Sequence, residues 1–231
     1  MTTETAPATS EKMLTTRDLR RMYWRSTFLL GSFNFERMQA MGFCYTLMPA
    51  IRKFYRDDKS AQAAALKRHL EFYNTHPWVS SVVFGVTAAM EEQKAKGEEI
   101  SEETITSVKV GLMGPLAGVG DPIFWGTARP VLAALGASLA LNGSIVGPLL
   151  FFVGINLLRV LTRWYGLKFG YERGTEMVTE VGGGQLKKIT QMAAIMGLFV
   201  MGALVSKWTT IKFPTVVSKV DDPDTQIVKV T

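Results

Sequence analysis

The chain has 231 residues, 47% of them hydrophobic, with 26 Lys and Arg against 20 Asp and Glu and a net charge of +6. Ordinary Gly and Pro usage excludes a collagen-like or low-complexity polymer. One cysteine and two histidines exclude an internal disulfide and any zinc site of four thiolates, or of two thiolates and two imidazoles. A mean hydropathy of +0.13, between soluble proteins and plain bundles of membrane helices, points to a protein partly embedded in a bilayer.

The N-terminus lacks the apolar run of a secretory signal, so residues 1–19 are expected to form a disordered polar tail leading to a capped helix near Thr16. Residues 17–68 carry eleven Lys and Arg against four acids. Interleaved apolar runs make a membrane surface a better partner for them than nucleic acid, which is not expected. The runs 38–51 and 78–90 suit partly inserted or buried helices. Over 60–73, Leu66, Leu70 and Tyr73 recur at helical spacing opposite basic residues, predicting an amphipathic surface helix with His69 on its solvated face. Pro77 would stop that helix, with Asn74 and Thr75 in its C-cap turn. Residues 91–103 hold eight charges in thirteen positions and read as a solvated connector without chemistry, Ser101 capping the next helix.

Pro130 through Leu158 carry no charge over 29 residues. One helix of that length would measure roughly 43 Å, against a hydrocarbon core of about 30 Å. Asn142-Gly143-Ser144 and Gly147-Pro148 interrupt the run. Two apolar half-segments around a break predict a re-entrant hairpin, with a buried hairpin of a soluble domain as the alternative. Gly182-Gly183-Gly184 reads as a flexible joint, and the uncharged run 189–206 is near the minimum for a membrane helix. The predicted fold class is therefore all-α: a polytopic membrane protein with re-entrant hairpins and amphipathic surface helices.

Asp121 is the one acid between Thr104 and Leu161. A carboxylate in an apolar run is costly unless paired or hydrated, which marks it as functional by default. Pro115, Pro122 and the glycines at 114, 118 and 120 predict a broken element exposing backbone amides and this carboxylate, suited to sugar hydroxyls, with Trp125 as a ring-covering face. The alternative is that Asp121 caps a helix beginning at Pro122. The Gly118-Val119-Gly120-Asp121 match to intramembrane aspartyl proteases fails, since no second aspartate lies in an apolar run. Asn34, Glu36, Arg37 and Gln39 lie between two apolar runs, where Glu36 and Arg37 could simply neutralise each other. His76 is either a structural histidine before proline or a hydrogen-bonding or pH-sensitive group. Phosphate loops, nucleophile elbows and His-Glu-x-x-His are absent, so neither covalent catalysis nor a cofactor is expected.

GSFNFERMQAMGF (31–43), RHLEFYNTHP (68–77), KVGLMGPLAGVGDPIFWGTARP (109–130) and GPLLFFVGINLLR (147–159) resemble the IID component of mannose-family sugar phosphotransferase systems, a likeness covering roughly 14–212. The resemblance implies a bacterial plasma-membrane domain over 20–212 that works with a IIC subunit. Together they would bind and translocate a hexose, which soluble IIA and IIB (IIAB) phosphorylate. It also implies a trimer of IIC–IID heterodimers and, in Gram-positive relatives, a role as bacteriocin receptor. Phosphorylation sites would lie on the partners, making this a non-catalytic transport subunit. Carried over by position, residues near the sugar path would be Asn34, Glu36, Asn74, His76 and Asp121. The alternative is a subunit that scaffolds IIC without touching sugar. One departure stands out: family members continue with a strongly apolar portion, whereas 213–231 is polar, so the family's last membrane segments are expected to be absent.

Overall fold

The computed structural model describes residues 12–180, together with Ile195, Phe199 and Gly202 as helical positions. The glycine joint at 182–184, most of the apolar run 189–206 and the polar segment 213–231 lie outside the described residues. Within them the fold is helical, and the only β contacts are isolated bridges linking Asn34 to Met38 and Met38 to Tyr73.

A head is built from α1 (Thr16–Ser26), α2 (Ala40–Phe54), α3 (Lys59–Arg68) and α4 (Ser80–Ala95). α1 starts on a capping box: the Asp18 amide donates to Thr15 Oγ1 at 3.4 Å, and the Thr15 amide donates to the Asp18 carboxylate at 3.0 Å. Leu19 and Met22 face inward, while α2 and α4, from the runs 38–51 and 78–90, are buried along most of their length. Phe43, Tyr73 and Phe84 form the centre of this core, with ring centroids 4.3 Å and 5.1 Å from Phe43.

α3 is shorter than its sequence pattern predicts. It ends at Arg68, and Tyr73 lies in the following extended segment, paired with Met38. Asn74 and Thr75 therefore belong to no C-cap turn. His69 is buried rather than solvated, because a buried carboxylate waits for it on α4.

Beyond the head, α5 (Glu102–Gly120), a π-helical segment (Asp121–Ala128) and α6 (Arg129–Leu141) form one continuous helical run. Ser101 caps it as expected, its hydroxyl accepting from the Thr104 amide at 3.1 Å. The expected break at Pro115–Pro122 does not occur. Pro115 is carried within regular α5, and from Asp121 the helix widens to π geometry around Pro122, a local change associated with functional positions. The turn at 142–145 does form, with Gly143 at φ +75°, and α7 (Val146–Glu180) runs back along α6. Gly147 and Pro148 do not interrupt the run. They lie in the first turn of α7, where proline's missing N–H costs nothing.

Small residues set the helix contacts of α7. Gly166, Gly170 and Gly174 face Ser81, Val82, Val86 and Ala89 of α4; a Cβ on Gly170 would stand 2.2 Å from the Val82 carbonyl oxygen. Gly85 approaches the Leu167 carbonyl from the other side just as closely. Such four-residue spacing of small side chains lets two backbones meet, as in membrane helix pairs.

Candidate functional site

Three separated motifs meet at one place. The loop 33–39 folds on itself by Asn34, whose side-chain oxygen accepts from the amides of Glu36 at 3.1 Å and Arg37 at 2.8 Å. It then bonds to the segment 73–75. The Gln39 amide donates to the Tyr73 carbonyl at 2.8 Å, and the Gln39 side chain donates to the Thr75 carbonyl at 2.7 Å. The Thr75 hydroxyl in turn donates to the Met113 carbonyl of α5 at 2.8 Å, tying both loops to the helix that carries Asp121.

His76 sits at the centre. Its ring stacks on Phe124 at 5.2 Å, lies 5.0 Å from Trp125 and meets Trp78 edge-on at 5.8 Å. Gly120 closes the remaining side, since a Cβ there would stand 2.7 Å from the imidazole. The π-helical segment brings both Phe124 and Trp125 to this ring. Nδ1 accepts from the Trp78 amide at 3.3 Å, which places the proton of the neutral ring on Nε2. Nε2 is buried and has no partner among the described residues. Burial pushes the His76 pKa down to about 4, so the imidazole is neutral at physiological pH. It is a desolvated donor without an acceptor among the described residues, an arrangement that costs free energy and that buried polar groups seldom show.

The other expected residues are placed differently. Asp121 is exposed on the helix surface and makes no side-chain hydrogen bond among the described residues. The capping alternative fails, because the helix runs straight through it from Gly120. Trp125 follows about one turn later and is partly exposed, so a carboxylate and an aromatic face stand together. Asn74 is exposed beside His76. Glu36 is exposed and paired with Arg37 at 3.3 Å, and Asn34 is occupied by its own turn. His76 thus lies at the junction; Asn74, two residues before it, and Asp121, next to the Gly120 that closes on it, are exposed, and Asn34 and Glu36 sit on the loop that buttresses it.

A second cluster was missed by the sequence reading. Residues 91–103 begin not as a solvated connector but as the buried end of α4, where Glu91 and Glu92 have no exposure. Glu91 accepts from Arg68 Nε at 2.8 Å, His69 Nε2 at 2.8 Å and the Tyr55 hydroxyl at 2.7 Å. Burial pushes its pKa up, but the His69 and Arg68 partners outweigh that and hold it at about 2. Burial keeps His69 neutral, in agreement with an Nδ1 that has no partner among the described residues. Glu92 binds the Met13 amide at 2.9 Å, Lys96 at 2.6 Å and the Tyr171 hydroxyl of α7. Lys109, buried on α5, donates to the Arg68 carbonyl at 3.2 Å and lies over the Phe43 ring. Lys109 could have been found by the signal that marked Asp121, a charge within an apolar run. No group of His, Cys, Asp and Glu able to hold a metal exists among the described residues.

The runs Glu102–Leu141 and Val146–Gly174 are long and apolar enough to cross a membrane. They expose most of their leucines and phenylalanines rather than burying them, the pattern of a helical membrane protein carrying a polar head. A family model for the PTS system mannose/fructose/sorbose family IID component matches residues 13–230. Among curated relatives, the mannose-specific EIID component of Escherichia coli K12 is 56% identical over 219 residues, covering 95% of this chain and 77% of that protein. The fructose permease IID component of Bacillus subtilis 168 is 59% identical over 212 residues, covering 92% of this chain and 77% of that protein. The sorbose-specific EIID component of Klebsiella pneumoniae is 54% identical over 221 residues, covering 96% and 80%. A cryo-EM structure of the mannose transporter ManYZ with microcin E492 contains a chain 56% identical, with a TM-score of 0.78, covering 92% of this chain and 78% of that one. This chain belongs to the mannose/fructose/sorbose family of IID components: it is a membrane component of a sugar phosphotransferase system.

Proposed function

We propose that this chain works with a IIC subunit in a bacterial inner membrane to bind and translocate a hexose, which IIAB phosphorylates. The observation that carries this reading is the unpartnered Nε2 of His76, held neutral in an aromatic cage at the junction of three polar motifs. Asp121 and Asn74 beside it supply acceptors and donors for sugar hydroxyls, and Trp125 an apolar face for the ring. A neutral imidazole and one carboxylate bind a sugar without excess affinity, as release to the phosphorylating domain requires.

The hairpin of α6 and α7 is re-entrant in this reading. The full helices are long enough to cross, but each uncharged arm, 130–141 and 146–158, reaches only about 20 Å from the turn before Arg129 or Arg159, less than a hydrocarbon core of about 30 Å. The amphipathic surface helix expected over 60–73 is α3 in this reading, and α1 is a second one, with Leu19 and Met22 inward and its arginines outward. Residues 20–212 form the membrane domain, assembled as a trimer of IIC–IID heterodimers, and the likeness to the ManYZ–microcin complex supports a bacteriocin-receptor role.

The test is labelled mannose and glucose uptake in cells lacking the native system, supplied with cognate IIC and IIAB. Asp121→Asn and His76→Ala are each expected to abolish uptake in membranes where the complex still assembles. Normal uptake in both would leave the scaffolding alternative, which the self-satisfied Asn34 and Glu36 favour at their own positions.

A further inference from the structure

α1 turns two different faces to its surroundings. Leu19, Met22 and Ser26 are buried, while Arg17, Arg20, Arg21, Trp24 and Arg25 line an open cavity of roughly 590 Å³, completed by Pro49 and Arg52 of α2. Arg17, Arg20, Arg21 and Arg52 have no carboxylate partner among the described residues. Asp18, the acid of α1, is committed to Lys53 at 2.6 Å. Four unpaired guanidiniums around one concavity, with a fifth beside them, form a site for a phosphate oxyanion.

A second cavity of roughly 460 Å³ adjoins it and is apolar, lined by Phe28, Met41, Cys44, Tyr45 and Met48 among others. The two have adjoining linings in sequence, since Arg25 at the end of α1 and Phe28 in the turn after it are three residues apart and Met48 precedes Pro49 on α2. Arg25 forms the ridge between them, its guanidinium 4.5 Å from the Tyr45 ring and donating to the Tyr45 carbonyl at 3.3 Å. Trp24 and Phe28 stand largely exposed along this edge.

The depth of this feature follows from α7. Its uncharged run ends at Leu158, and Arg159, Arg163 and Trp164 follow, the residue types of a membrane–water boundary. α1 is fastened at that level. The Arg163 guanidinium donates to the Ser26 hydroxyl, and Tyr23 meets Trp164 edge-on at 5.8 Å.

We propose that the two cavities together bind one anionic phospholipid, its phosphate among Arg17, Arg20, Arg21 and Arg52 and an acyl chain in the groove of Phe28, Met41 and Met48. An acidic protein would answer the arginines but not the adjoining apolar groove, and a free anion would leave both Trp24 and the groove exposed. The charge asks for an anionic headgroup, and the snorkelling pattern of arginine with tryptophan suits the bilayer surface.

The test uses the full chain in its purified membrane complex and phosphatidylglycerol carrying a photoreactive acyl chain. Labelling is expected on residues 41–48, at least tenfold above the same probe with a phosphatidylcholine headgroup, and unaffected by millimolar inorganic phosphate. R21Q/R52Q is expected to lower labelling about tenfold, whereas R21K/R52K retains most of it. M41W, which fills the groove and leaves the charge intact, should abolish labelling and serves if the glutamine variant fails to assemble. Equal labelling by the two lipids, displacement by inorganic phosphate, absence of label from 41–48 or an indifferent M41W would each overturn the proposal.

Discussion

The head and the hairpin solve opposite problems. The head buries polar groups: Glu91, Glu92, Arg68, His69 and Lys109 are removed from solvent, with Glu91 answering Arg68 and His69, Glu92 answering Lys96 and Tyr171, and Lys109 bonded to the Arg68 carbonyl. The hairpin exposes grease: Leu149, Phe152, Val153 and Leu157 point outward, and α6 meets α7 through glycines, Gly136 against Gly147 and Phe151, and Gly154 against Leu132. The head follows the rules of a water-soluble core, with polar groups admitted only in pairs. The hairpin follows those of lipid, where apolar surface costs nothing outside and close backbone contact supplies the attraction. His76 lies on the seam, fixed by the head through Trp78 and caged by the membrane helix through Phe124.

The largest effect expected from breaking this contrast is Glu91→Ala. It removes the buried partner of Arg68, leaving that guanidinium only the half-exposed Glu102 at 2.5 Å, and it removes the acceptor of Tyr55 and His69; losing one partner of a buried pair costs up to about 3–5 kcal/mol. Thermal unfolding of the purified complex should drop by many degrees, while Glu91→Gln, which keeps an acceptor, recovers part of the loss. An unchanged midpoint would mean the network is not what holds α2, α3 and α4 together.

Next comes Gly147→Ala. Its Cβ would stand 2.2 Å from the Gly136 carbonyl oxygen, forcing the hairpin apart at a cost of about 1–3 kcal/mol. The head should keep its midpoint, while disulfide trapping between cysteines introduced at 132 and 154, which face each other across the two helices, falls. Equal trapping would show that the glycine contact does not set the hairpin.

Acid sharpens the same comparison. His76 titrates at about 4 when folded against 6.5 when free, so the unfolded chain takes up the proton first. Stability is full above about 6.5 and falls as pH drops from 6.5 to 4. Glu91, held at about 2 against 4.5, adds a second loss as pH falls from 4.5 toward 2. Burial lowers His69 as well, so His76→Phe should shrink the upper phase of an acid unfolding curve without abolishing it and should spare the lower one; an unchanged upper phase would assign it to His69. The smallest effect is expected at the exposed Glu36–Arg37 pair, where Glu36→Gln should change stability by under about 1 kcal/mol in the same assay.

Much of this molecule is legible as text. The turn at 142–145, the caps at Thr15 and Ser101, and the helices over 40–54 and 80–95 all follow from local patterns, because helix signals and turn residues act within a few positions. The motifs around residues 34, 74, 76 and 121 could be singled out because polar residues interrupt apolar runs. What a one-dimensional pattern could not supply is who answers whom. Glu91 and Glu92 read as solvated because a run of charges normally is, and only the packing of α4 against α3 and α7 brings Arg68, His69 and Tyr171 to them. His69 was misplaced for the same reason. The small-residue spacing at 166, 170 and 174 is written in the chain, but its partners at 81, 85 and 89 are fixed by tertiary contact. Local chemistry determined the elements and the residues worth watching. The tertiary structure decided which charges are buried, that Pro122 widens the helix instead of breaking it, and that His76 is left with a proton and nothing to give it to.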